Sequence, residues 1–106
     1  MVDMESQIQI DRGVVIHGGV GTLSAAALTD EIAASYRAVL TESLLAGSAV
    51  IQSGGPAVDA TVAAVQIMED SELFNAGRGS NFDERGVITM DASIMDGATL
   101  DAGAVA

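Results

Sequence analysis

The chain has no cysteine, no lysine and no tryptophan, one proline, and three aromatic residues in all, Tyr36, Phe74 and Phe82. Without cysteine there is neither a disulfide staple nor a thiolate metal site. Four arginines, Arg12, Arg37, Arg78 and Arg85, face 15 Asp and Glu residues, for a formal net charge of −11. No basic footprint exists to neutralise phosphates, which excludes nucleic acid as an expected partner. The shortage of aromatics removes the usual anchors of a recognition surface. Residues 13–29 and 43–58 are uncharged, but glycine and serine interrupt both. Neither is a continuous apolar run of about 20 residues, so no membrane segment is expected. Residues 1–9 carry Asp3 and Glu5 instead of a basic stretch before an apolar run, so they do not read as a signal peptide. These absences point to a soluble, cytoplasmic protein.

What is present suits one domain over residues 1–106. Hydrophobic residues make up 49% of the 106, nearly all of them Ala, Val, Ile, Leu and Met, a composition for buried helices and strands and not for disorder. The acidic excess fits a salt-adapted host, where screening removes the self-repulsion of such a charge; it also simply aids solubility.

Along the chain, Val14-Val15-Ile16 reads as a buried strand entering the glycine-rich His17-Gly18-Gly19-Val20-Gly21. From about Thr29 to Ala46, Ile32, Tyr36, Val39, Leu40 and Leu44 recur at helical spacing. Thr29, Asp30 and Glu31 suit the start and Gly47 the end. Gly54-Gly55-Pro56 sets Pro56 at the first position of a second helix running to about Glu69, apolar around most of its circumference and so expected to be largely buried. Residues 70–85 form a long loop, of the kind that is usually functional or disordered. Residues 86–90 and 93–95 read as short strands, and another begins at Leu100. The small apolar ending Ala102-Gly103-Ala104-Val105-Ala106 reads as a stop inside a strand, so a longer parent domain is expected.

Four ordered blocks now stand out: Ile16-His17-Gly18-Gly19-Val20-Gly21; Ala57-Val58-Asp59-Ala60; Leu73-Phe74-Asn75-Ala76-Gly77-Arg78-Gly79-Ser80; and Met90-Asp91-Ala92-Ser93-Ile94-Met95-Asp96-Gly97. In this order and at these distances they closely resemble the plant-type L-asparaginase/isoaspartyl aminopeptidase family of N-terminal-nucleophile (Ntn) hydrolases. The resemblance implies an α+β fold, part of an αββα sandwich. It also implies a precursor that cuts itself to expose a threonine whose own α-amino group is the general base. A hydroxyl is a poor nucleophile until a base activates it, and the terminal amine supplies one without a histidine.

The matching threonine lies downstream of these residues. Thr22 follows a glycine but sits in the segment that matches the family's glycine loop and not its cleavage site; Thr89, Thr99 and Ser80 have no adjacent base, and His17 assembles no triad. The chain by itself is therefore expected to be inactive. Its substrate would be asparagine or an isoaspartyl dipeptide. Its partners would be the C-terminal remainder carrying the nucleophile and, for the whole protein, a second copy in a homodimer.

The resemblance assigns supporting roles. Gly18, Gly19 and Gly21 would let backbone approach the cleavage region, and Asn75 would sit near the nucleophile; a plain structural turn and an asparagine adopting αL are the structural alternatives. No organic cofactor is implied. The resembled family's sodium loop maps onto the backbone carbonyls of Met68, Glu69, Ser71, Phe74, Ala76 and Arg78, hard oxygen ligands for Na+. Asp91 and Asp96 read as turn-forming carboxylates in preference to an acid/base pair, and Asp83-Glu84 as a solvated loop tip. Two other readings remain: a small module whose loop from His17 to Thr22 holds an anion at a helix start, and a non-catalytic remnant.

Overall fold

The computed structural model describes residues 11–20 and 23–106. It is an α+β arrangement of two helices, α1 (Asp30–Gln52) and α2 (Ala57–Glu69), a short 3-10 turn (Gly77–Gly79) and two strands, β1 (Ala92–Met95) and β2 (Ala102–Val105).

The start of α1 is set as the residues suggest: Thr29 Oγ1 accepts a hydrogen bond from the Ile32 amide at 3.2 Å, with Asp30 and Glu31 in the first turn. Its end is not. Gly47 lies inside the helix, buried against α2, and the helix runs on to Gln52. The stop is Gly54, at φ +83°, whose amide donates to Ile51 O while the Gly55 amide donates to Val50 O. This paired closure satisfies the last carbonyls and needs a left-handed residue where Gly54 stands. Pro56 is the N-cap of α2, one position before its expected place.

The helices pack through small residues. A methyl group on Gly47 would sit 3.1 Å from Ala60 O and 3.3 Å from Ala64 Cβ. Ser43, 0% exposed, donates from Oγ to Ala64 O at 2.7 Å. Only one face of α2 is covered, that of Ala60, Ala64 and Met68; Val62 and Val65 are each 38% exposed. The expectation of a largely buried helix is therefore corrected, because α1 covers a single stripe of it.

Residues 11–20 form no ladder among the described residues, which corrects the expected strand at residues 14–16. The segment runs antiparallel along α1. Arg12 reaches Ile51 O, Val14 meets Gly47, and Gly18 meets Leu40. Val14 and Ile16 are half-buried while Val15 is 97% exposed. The side-chain alternation of a strand is present, but no partner backbone lies beside it.

β1 and β2 pair antiparallel, with Ala92 opposite Val105 and Met95 opposite Ala102. Asp96 closes the turn by accepting from the Ala98 amide at 2.9 Å, which matches the turn-forming role expected of it. The hairpin makes no extensive contact with either helix, and both of its faces are exposed. Residues 86–90 carry no strand, which corrects the expected one; a turn held by Asp83 closes at Val87, and residues 88–90 are irregular. Asp83 Oδ1 accepts from the amides of Arg85 and Val87, and its Oδ2 pairs with the Arg85 guanidinium at 2.6 Å. The Arg85 side chain first, then the Val87 amide, hold the Asp83 carboxyl below the usual carboxylate range. Asp83 is thus a turn organiser and not merely a solvated tip.

Candidate functional site

The long loop is built outward from the end of α2. Ser71 N donates to Met68 O at 3.2 Å, and Ser71 Oγ accepts from the Leu73 amide. The next residue, Phe74, is 6% exposed. Its ring meets Tyr36 edge-on, with centroids 5.5 Å apart, and the Tyr36 hydroxyl donates to Leu73 O at 2.9 Å. One side chain on α1 thereby packs the loop with its ring and ties it with its polar tip.

The loop then doubles back through Gly77–Gly79. A methyl group at Gly79 would overlap Phe74 O and lie 2.9 Å from Glu72 O; one at Gly77, φ +53°, would overlap Glu69 O. Backbone oxygens cannot swing aside as a side chain can, so both positions require glycine. Asn75 Oδ1 accepts from the Asn81 amide at 2.8 Å and clamps the base of the loop.

The glycine segment meets this loop directly. A methyl group at Gly18 would stand 2.9 Å from Phe74 Cε1 and 3.4 Å from Leu40 Cδ2, so only glycine lets the backbone lie on that ring. Gly19 follows at φ +94°, and its amide donates to His17 Nδ1 at 3.0 Å. Gly21 and Thr22, the rest of the expected loop, lie outside the described residues. The segment and the loop together border an open groove of about 800 Å³. His17, Gly18 and Gly19 line it together with Phe74, Asn75 and Ala76; Arg37 and Glu69 are its charged members among the described residues.

Four of the six expected carbonyl ligands fall into two pairs. Those of Glu69 and Phe74 approach the Gly77–Gly79 turn, joined there by Glu72, which sequence reasoning did not single out. Those of Met68 and Ala76 accept backbone hydrogen bonds from Ser71 and Gly79, each leaving a second lone pair free. The side chain of Arg78 is exposed, 3.9 Å from Asp70. Among the described residues, no group of three or more His, Cys, Asp or Glu side chains is placed to hold a metal, but backbone carbonyls are a different donor set. No Ser or Thr hydroxyl among them is hydrogen-bonded to His17 or to a carboxylate; Ser43, Ser53, Thr61 and Thr99, for example, bond backbone groups. No helix of the described residues is long and apolar enough to cross a membrane.

Tyr36 is the residue that sequence reasoning undervalued. It counted only as an apolar position on a helix, though a lone tyrosine on such a face carries a hydroxyl that needs a partner when covered.

The model of a family described as asparaginase matches residues 10–106. The isoaspartyl peptidase/L-asparaginase of Xenopus laevis is 46% identical over 92 residues, which is 87% of this chain and 28% of that protein. The isoaspartyl peptidase of Salmonella typhimurium is 39% identical over 93 residues, 88% of this chain and 30% of its own. The plant-type L-asparaginase of Pyrococcus furiosus is 43% identical over 93 residues, again 88% of this chain and 29% of its own. The chain thus spans less than a third of the length of the curated relatives it matches.

Proposed function

The chain belongs to the asparaginase family, and on that premise we propose that residues 1–106 are the N-terminal part of an Ntn hydrolase. The whole protein releases ammonia from L-asparagine, cleaves isoaspartyl dipeptides, or does both. The nucleophilic threonine comes from sequence outside these residues, and the 106 residues supply the scaffold that receives it. What supports this reading above all is the meeting of Gly18 with Phe74, which brings the glycine segment and the Asn75 loop to one groove.

Within that reading, Gly18, Gly19 and Gly21 let the main chain come close to the threonine's own strand. Asn75 accepts from the Asn81 amide with one lone pair of its carbonyl oxygen and keeps its amide hydrogens for a neighbour. Carbonyls of Met68, Glu69, Ser71, Phe74, Ala76 and Arg78 hold Na+, and the bend of the Glu69 and Phe74 carbonyls toward Gly77–Gly79 fits such a curl. Bound there, the ion supplies a positive charge that offsets converging carbonyl dipoles. The uncovered sides of α2 and of the hairpin fit further layers of an αββα sandwich contributed by the C-terminal remainder, with the whole protein a homodimer. The acidic excess fits a salt-adapted cytoplasm.

An anion-binding module is less well supported. The Gly19 amide already donates to His17, and among the described residues no helix begins before α1 at Asp30.

The test is ammonia release from L-asparagine, and hydrolysis of an isoaspartyl dipeptide, by the full-length protein in high salt. The wild type turns over at least one of them, and Asn75→Ala lowers kcat/KM by about tenfold or more through lost positioning. A correctly processed protein inert toward both substrates sinks the hydrolase reading and leaves the remnant.

A further inference from the structure

His17 is exposed, and among the described residues it hydrogen-bonds to no carboxylate. Its hydrogen bond among the described residues is local: Nδ1 accepts the Gly19 N–H at 3.0 Å. A ring nitrogen that accepts a hydrogen bond carries no proton, so this bond requires the tautomer with its hydrogen on Nε2. The bond spans the turn at which Gly19 adopts φ +94° and which carries Gly18 onto the Phe74 ring. Among the described residues no other hydrogen bond holds residues 17–20. We propose that His17 is a positioning residue: its neutral Nε2–H tautomer, through the Nδ1 acceptor, latches the glycine segment against Phe74.

The side chain makes a sharp prediction about replacements. Asparagine puts Oδ1 on the same atom that bears Nδ1 in histidine, so it can accept the Gly19 N–H from the same place. Glutamine carries its oxygen one bond farther out, and alanine has no acceptor. The proposal deepens the hydrolase reading by naming what sets the glycine segment. Its test reads local geometry, so its failure and the failure of that reading are separate events.

The test is NMR on the full-length protein. Nitrogen-15 signals of the wild-type imidazole are expected to show Nδ1 bare and Nε2 protonated; a ring protonated on Nδ1 overturns the proposal. In His17→Ala and His17→Gln, exchange of the Gly19 amide with water rises by about fivefold, as loss of one modest hydrogen bond implies, and the Phe74 ring signals shift. In His17→Asn both stay at their wild-type values. Equal exchange in all three variants, or failure of asparagine alone to preserve it, overturns the proposal. Should His17→Ala fail to fold, the wild-type tautomer and the contrast between asparagine and glutamine still decide.

Discussion

Gly47→Ala separates two physical accounts of the same residue. Glycine inside a helix is about 1 kcal/mol less favourable than alanine, so a Gly47 that were only a helical position would gain about that much stability from a methyl group. The structure places that methyl group 3.1 Å from Ala60 O, 3.2 Å from Val14 Cγ1 and 3.3 Å from Ala64 Cβ. Two of these neighbours belong to α2 itself, so the helix must draw back by a few tenths of an ångström. Overfilling of this kind costs about 1–3 kcal/mol. The packing loss outweighs the propensity gain, and the expected result is a net destabilisation of about 1 kcal/mol. Urea unfolding of the full-length protein, followed by circular dichroism, measures it. Ala49→Gly calibrates the propensity, since Ala49 is exposed on the same helix; it should cost about 1 kcal/mol by itself. If Gly47→Ala instead raised stability by the amount Ala49→Gly lowers it, the close helix contact would be refuted.

Replacing Na+ by choline at constant ionic strength should speed amide exchange in residues 77–80 and leave exchange in α1 unchanged; equal exchange in both salts rules out a sodium loop. The turn at Asp83 should respond to acid. Its carboxyl is held below the ordinary value of 3.8 by the Arg85 side chain and the Val87 amide, so folding favours the ionised form. The turn's contribution to stability is complete above the ordinary value and is lost as pH falls through the lowered one. The Arg85 and Val87 amide resonances should therefore titrate below pH 3.8. Titration at or above that value, or an Asp83→Asn variant that still shows it, contradicts the assignment.

Much of the helical part was legible. Thr29, Asp30 and Glu31 announce a helix start by chemistry that acts within one turn, and the structure agrees. Gly47 misled because glycine serves two ends, stopping a helix and letting another approach, and local sequence does not distinguish them. The true stop was written in Gly54-Gly55, beside the proline. Residues 14–16 carry the alternation of a strand, yet a strand is a property of two backbones, and none pairs with them among the described residues. The apolar girth of α2 overstated its burial for a similar reason: propensity and pattern describe one element, and cover comes from others.

Of the site, the loop between α2 and Gly79 could be picked out as irregular, and the ordered blocks gave it a family. Its anchor could not be read, because Tyr36 meets Leu73 and Phe74 only after the chain has turned twice. Nor could the carbonyl of Glu72, since backbone oxygen leaves no trace in residue type; that of Glu69 was named through the family resemblance alone.

The buried hydroxyl of Ser43 bears on more than stability. Its bond to the Ala64 carbonyl is a mark on each helix that must coincide. Sliding α1 by one turn, about 5.4 Å, would strand that hydroxyl and bring a side chain larger than Gly47's hydrogen to the crossing point. Since Tyr36 rides on α1 and Leu73 hangs from α2, the same slip would part them. The two rods are thereby keyed at a single notch, and the loop's height above the groove is set by where that notch was cut.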